Sequence, residues 1–334
     1  MRAVVQSRYG APEEVLAMAE VEAPLPEHDE VLIRVRATSV NTPDWAAVSG
    51  EPYVMRAYFG LFGPKRAVRG TDVSGVVDAV GASVTEFRIG DPVFGAGLDN
   101  SRVGTFAERT AVPAHRLALK PATLAFEDAA ACVMSGLTAL DAMRVAEVGP
   151  GTRILINGAS GGVGTFAVQM AKRLGAEVTG VCGPRNVEFL RELGADHVID
   201  YTREDFTRSD EHYDVVLDNV LNHSPTKLVR VLAPEGVLLP NSLGIGGGWF
   251  AALPRMARAA LLGVFGTRVR WVNCRVTREN LEHVATLIAG GLRVVTDRVF
   301  PLHEAPQAVA HMLEHHARGK VVVRVAPFPP PAES

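Results

Sequence analysis

The stretch INGASGGVG, residues 156–164, places four glycines and an alanine among nine positions. It follows the β-like run TRIL (152–155) and leads into FAVQMAKRL (166–174), an apolar pattern at helical spacing. A strand, a Gly-rich turn and a helix N-terminus together make an anion site. The first N–H groups of the helix are unpaired, and its dipole adds partial positive charge. Gly158, Gly161, Gly162 and Gly164 would let a pyrophosphate lie against the main chain, and the last would bring helix and strand close. The spacing is not literal G-x-G-x-x-G, so the turn alone also fits a purely structural role.

The surroundings narrow the choice. RILIN (153–157), EVTGVC (177–182), HVIDY (197–201), YDVVLDNV (213–220) and GVLLPN (236–241) read as short strands. Between them run GVGTFAVQMAKRLG, NVEFLRELGA and SPTKLVRVL, each with an amphipathic helical pattern. That alternation predicts βαβ units, a doubly wound parallel sheet and an α/β fold, with a dinucleotide on the Gly-rich turn. An acid at the end of the second strand would bind the ribose 2′-OH of NAD, whereas an arginine nearby would accept the 2′-phosphate of NADP. The sequence there is VTGVCGPRN (178–186), with no acid and with Arg185 just behind, which favours NADP(H) over NAD(H).

Before this region the texture differs. Residues 1 to about 124 are β-rich, with EVLIRVRATSV (30–40) and SGVVDAVG (74–81) as strands and EAPLPEHDE and RIGDPVFGAG as turns. FEDAAACVMSGLTALDAMRVA (126–146) is helical. After the alternating region come a helix (ENLEHVATLIAGG), a strand (VTDRVFPL), a helix (EAPQAVAHMLEHHARG) and a strand (KVVVRV). The last residues, APFPPPAES (326–334), read as a disordered tail.

Length and composition fit two domains with a sizeable core. A net charge of −3 without a basic block argues against nucleic acid. The longest apolar stretch, 249–266, is interrupted by Pro254, Arg255 and Arg258, so no membrane span is expected. Cys132, Cys182 and Cys274 form no CxxC pair or disulfide framework, and MRAVVQSRYG has no apolar signal core. A cytoplasmic location is expected.

The chain resembles the medium-chain dehydrogenase/reductases, in the zinc-independent quinone oxidoreductase-like (zeta-crystallin-like) branch. The resemblance rests on SVNTPDW (39–45), TDVSGVVDAVGASVTEFRIGDPVFG (71–95), SGLTAL (135–140), INGASGGVGTFAVQMAKRLGAEVTGVC (156–182), LGADHVIDY (193–201) and ARGKVVV (317–323). It implies a GroES-like catalytic domain at 1–124, completed by 273–325, around a Rossmann domain at 125–272, and relatives in this branch are commonly homodimers. It further implies that Thr138 reaches the nicotinamide carboxamide and that Ser160, Gly161, Gly162, Val163 and Gly164 hold the pyrophosphate. Gly183, Arg185 and Tyr201 would flank the adenosine phosphate, with Asn219 and Lys320 beside the cofactor. Many relatives carry hydroxyls before the arginine, whereas Gly183 and Pro184 stand here.

Zinc-using members draw metal ligands from three motifs whose positions here hold Asn41, Thr71 and Ser135. None is a good zinc ligand, and no cysteine precedes Cys132 to build a structural-zinc lobe. No zinc is expected. HMLEH (311–315) matches H-x-x-E-H, but as a solvated helix face it is ordinary.

Without a Lewis acid, suitable acceptors are those whose conjugation spreads incoming charge: quinones, α,β-unsaturated carbonyls or activated enoyl groups. Asn41, with Thr71 or Asp44, would organise hydrogen bonds near the carbonyl, and Ser135 would border the pocket. Trp45 and Tyr53 would form either an apolar wall for a flat substrate or ordinary core packing. Tyr53, water or solvent are all open as proton donors. The segment 244–272, with Arg255, Arg258, Arg268 and Arg270, reads as a cover over the cleft, a dimer surface or an edge helix. Two other readings remain: a pathway-specific enoyl reductase, and a protein that binds NADPH without turnover.

Overall fold

The computed structural model describes residues 1–97, 103–242, 253–264, 266–313 and 317–325. The N-terminal portion supplies β1 (Arg2–Gln6), β2 (Leu16–Glu20), β3 (Glu30–Ser39), β4 (Asp72–Val80), β5 (Pro92–Ala96), β6 (Arg109–Pro113) and β7 (Leu117–Leu119). β3 pairs antiparallel with both β4 and β6. It is buried except at Arg34 and Arg36, the two polar positions within 31–37. Val31, Ile33, Val35, Phe106, Val112 and Leu117 gather in the core against this sheet.

The second unit contains β8 (Arg153–Asn157), β9 (Glu177–Cys182), β10 (His197–Asp200), β11 (Tyr213–Asp218), β12 (Leu232–Pro240) and β13 (Arg268–Val269). They form one sheet in the order β10-β9-β8-β11-β12-β13, with every pairing parallel. Both faces are covered. Ile154, Ile156 and Leu217 pack under the helices Val133–Val145 and Gly162–Arg173, while Leu155, Val216 and Leu238 belong to a separate core. A strand buried on two sides needs apolar residues at successive positions, as RILIN has. The strand order reverses at β8, so a crevice forms at the carboxyl ends of β8 and β11.

The chain then returns to the first sheet. β14 (Thr296–Pro301) runs parallel to β15 (Lys320–Arg324), and β15 lies antiparallel to β3. Val276, Leu281, Val284, Ala285 and Leu292 lie in the same core as Leu137 and Phe166. The apolar stripe of the helix Arg278–Ala289 is buried there, between the helix Val133–Val145 and β7 of the first sheet.

The expected tail 326–334, His315 and residues 244–252 lie outside the described residues. Among the described residues, no helix is long and apolar enough to cross a membrane. The described part of 244–272 contains the amphipathic helix Leu253–Val264. Its neighbouring arginines have protein partners: Arg255 donates to the Leu221 carbonyl at 2.9 Å, Arg268 pairs with Glu235, and Arg270 pairs with Glu147 at 2.8 Å. These three are structural contacts rather than free charges for an acidic substrate.

Candidate active site at the domain junction

The turn after β8 is shaped by its glycines. Gly158 has φ +76°, a left-handed conformation that side chains resist. A Cβ on Gly164 would lie 2.3 Å from the Gly158 carbonyl oxygen, so helix and turn touch backbone to backbone. Gly161 is different: it is the N-cap of the helix Gly162–Arg173, and a Cβ there would meet only the Gly158 oxygen, at 3.4 Å. That space lies over the first turn of the helix, whose N–H groups have no partner one turn back. A Cβ on Gly162 would lie 3.0 Å from both Ser135 Oγ and Lys320 Cδ, which brings three of the expected site residues together.

On the far side of the turn, Asn186 Nδ2 donates to Ser160 Oγ at 3.1 Å. Gly183 lies against Tyr201, and a Cβ on it would be 3.1 Å from the tyrosine hydroxyl. Tyr201 is exposed, as is Arg185 in the single turn Pro184–Asn186. At the end of β11, Asn219 accepts from Asn241 Nδ2 at 2.7 Å, while its own Nδ2 is buried without a partner. Asp218 Oδ2 is likewise unpartnered, although Oδ1 accepts from Asn157, Val220 and Leu221. Buried polar atoms are rarely left unpaired without a function. A glycine cradle at a helix N-terminus with an orphaned donor beside it fits a dinucleotide.

The chemistry-bearing side chains come from the other sheet. Asn41 caps the helix Thr42–Ser49, and its backbone N–H donates to Asp44 Oδ2 at 2.9 Å. Its side-chain amide donates to Thr71 Oγ1 at 3.1 Å and to Asp72 Oδ2 at 2.8 Å. Thr71 in turn donates to Asp44 Oδ2 at 3.4 Å. Lys320, at the head of β15, donates to Asn41 Oδ1 at 2.5 Å and to the Val40 carbonyl at 3.0 Å. Its ammonium stands 3.9 Å from Asp72, which is fully buried.

Asp72 is absent from the sequence expectations and central in the structure. It also accepts from Ser39 Oγ at 2.5 Å and from the Met134 N–H at 3.3 Å, so donors surround it. The available signal was an acid opening the apolar strand DVSGVVDAV, directly after Thr71. Burial raises the Asp72 carboxyl pKa, against the pull of Lys320 and its hydrogen bonds. Burial likewise lowers that of Lys320, with Asp72 opposing. Asp44 is pushed up to about 7, first by burial and then by the Asp72 charge.

Thr138 and Ser135 lie on the helix Val133–Val145, both buried, with the Thr138 hydroxyl donating to the Met134 carbonyl at 2.7 Å. Trp45 is only 5% exposed and packs among Val4, Val15 and Val48. Of the two sequence readings, core packing is the one its surroundings match. Tyr53 stands apart from that core in a single turn, with the Arg56 guanidinium 4.5 Å from its ring centroid. Among the described residues, no group of three His, Cys, Asp or Glu is placed to hold a metal ion. His311 instead contacts Asp297 at 2.6 Å.

Residues 27–122 match the family model of the alcohol dehydrogenase GroES-like domain, and residues 193–323 match that of the zinc-binding dehydrogenases. The mitochondrial NAD(P)H oxidoreductase of Mus musculus is 34% identical over 97% of this chain and 89% of its own length. The quinone oxidoreductase of Coxiella burnetii superposes with a TM-score of 0.85 at 29% identity, covering 98% of this chain and 99% of that one. The Escherichia coli quinone oxidoreductase complexed with NADPH gives 0.81 at 25% identity, covering 97% and 100%.

Proposed function

Because this chain belongs to the medium-chain dehydrogenase/reductase superfamily, in its quinone oxidoreductase-like branch, we propose that it is a zinc-independent NADPH-dependent reductase of quinones or α,β-unsaturated carbonyls. Relatives named NAD(P)H oxidoreductase and quinone oxidoreductase support the coarser reading of an NAD(P)H oxidoreductase. The observation that carries the finer one is the Asn41–Lys320 contact. Where zinc-using relatives place a metal ligand, this chain places an amide whose oxygen accepts from a buried ammonium. A divalent cation beside that ammonium would meet charge repulsion, and neither Asn41 nor Thr71 offers the nitrogen, thiolate or carboxylate zinc takes.

Gly158, Ser160 and the turn Gly161–Gly164 would hold the pyrophosphate. Arg185 and Tyr201 would face the adenosine phosphate, and Thr138, Asn219 and Lys320 the nicotinamide side. The nicotinamide supplies a hydride when bound. The protein's part is then positional and electrostatic. Lys320 places positive charge behind Asn41, near an acceptor oxygen that gains negative charge, and the Thr71 hydroxyl would turn to that oxygen once a protonated Asp44 donates to Thr71 in place of accepting from it. Asp44 can hold a proton near neutral pH next to the Thr71 hydroxyl.

The test mixes purified protein and NADPH with an ortho-quinone, a short enone and an enoyl thioester, with metal content measured in parallel. Oxidation of NADPH by the quinone or enone, undiminished by a chelator, is expected. Turnover of the thioester alone would replace this reading with an enoyl reductase. Binding without turnover would replace it with an NADPH-binding sensor, and stoichiometric zinc would overturn the metal-free chemistry.

A further inference from the structure

The tripeptide Arg318-Gly319-Lys320 touches three separate parts of the site. Lys320 reaches Asn41 and Asp72. The Gly319 N–H donates to the Ser160 carbonyl at 2.9 Å, and Gly319 forms a parallel bridge with Gly161. This position needs glycine, because φ is +81° and a Cβ would lie 2.2 Å from the Val295 oxygen. Arg318 turns the other way. Its Nε donates to Asn186 Oδ1 at 3.0 Å, a terminal nitrogen donates to the Arg185 carbonyl at 3.1 Å, and its guanidinium lies 4.7 Å from the Phe189 ring centroid. Its backbone N–H is anchored to Asp297 Oδ1 at 3.1 Å.

The turn Pro184–Asn186 thus has its main chain and one side chain gripped from the C-terminal segment. The Arg185 guanidinium is left exposed and makes no hydrogen bond or ion pair among the described residues. We propose that Arg318 is a positioning residue for cofactor discrimination: it holds the turn Gly183–Asn186 so that Arg185 faces the phosphate that separates NADPH from NADH. The inference rests on the reading above that the glycine turn takes NADPH. The physical basis is preorganisation. A loop arginine that must be ordered at the moment of binding loses affinity to conformational entropy, and a loop already held does not. The loss falls most heavily on a ligand that uses Arg185, and only the part passed through Asn186 to Ser160 is common to both cofactors.

The experiment is a fluorescence titration of NADPH and of NADH into wild type, Arg318→Ala, Arg318→Lys, Arg185→Ala and the double alanine variant, with Tm measured for each. Arg318→Ala is expected to raise the Kd for NADPH about tenfold while that for NADH moves less than about twofold. Arg318→Lys, which keeps the charge but not the two-pronged grip, falls between. The double variant is expected to match Arg185→Ala alone, because the two residues act as one unit. Equal losses for both cofactors, additive losses in the double variant, or an unchanged NADPH affinity would each overturn the proposal. If Arg318→Ala does not fold, the NADPH-to-NADH ratio in Arg318→Lys decides. Wild type that binds no NADPH overturns the functional reading along with this one; wild type that binds it, with Arg318→Ala indistinguishable, overturns this one alone.

Discussion

Lys320 and Asp72 stand 3.9 Å apart with almost no exposure, so each is the other's condition for being buried. Removing one charge leaves an uncompensated ion in the interior, at a cost of about 3–5 kcal/mol. Lys320→Met and Asp72→Asn are each expected to lose stability on that scale in denaturant unfolding. The double variant should lose clearly less than the sum, and a simply additive result would mean the pair is uncoupled. Asp44 gives a pH-dependent signature. Its folded pKa lies near 7 against an ordinary 3.8, so the folded state binds the proton more tightly. Its contribution to stability is complete below about pH 4 and is lost as pH rises to about 7, by about 1.4 kcal/mol per pH unit at most. Asp44→Asn removes the titration, so the wild-type minus variant stability should fall across that window and stay flat above it. A difference that does not change with pH would place the Asp44 pKa near its ordinary value.

At the scale of the element, the turn Gly158–Gly164 separates two kinds of glycine. Gly164 is needed by the fold, because its added methyl would strike backbone that a side-chain movement cannot relieve. Gly164→Ala should therefore lower Tm, with a stability loss of about 1–3 kcal/mol. Gly161 has φ −80° and an added methyl would meet one atom, at 3.4 Å. Gly161→Ala should leave Tm near wild type while weakening NADPH binding, since the methyl would stand where the proposed function puts the phosphates. Thermal melts and a titration on the two variants distinguish these roles, and equal destabilisation by both would contradict them. The turn itself was legible in sequence because strand, glycines and helix are contiguous and each carries its own period. Asp72 was not, because an isolated acid at a strand head has no period and its meaning comes from what faces it.

Across the whole molecule, the site is an assembly of distant pieces. The glycine cradle belongs to the parallel sheet, and Asn41, Thr71 and Asp72 to the antiparallel one. Lys320 arrives from the final strand, 279 positions from Asn41 in the chain. A cofactor bound across this junction stabilises the folded state by mass action, about 2.7 kcal/mol at a hundredfold excess over Kd. NADPH should raise Tm more than NADH at equal concentration, and Arg185→Ala should remove most of the difference; identical shifts in wild type would argue against a phosphate site. Local pattern was enough for the βαβ succession, the glycine turn between strand and helix and the chemical type of Asn41, Thr71 and Ser135, since these depend on neighbours in sequence. It did not reach the Asp72–Lys320 pair, the grip of Arg318 on the Arg185 turn, the burial of Trp45, or the packing of the helix Arg278–Ala289 between β7 and the helix Val133–Val145. Those depend on which surfaces meet when the chain closes. A lone side chain carries no record of its distant partner until packing excludes water and makes the pairing matter.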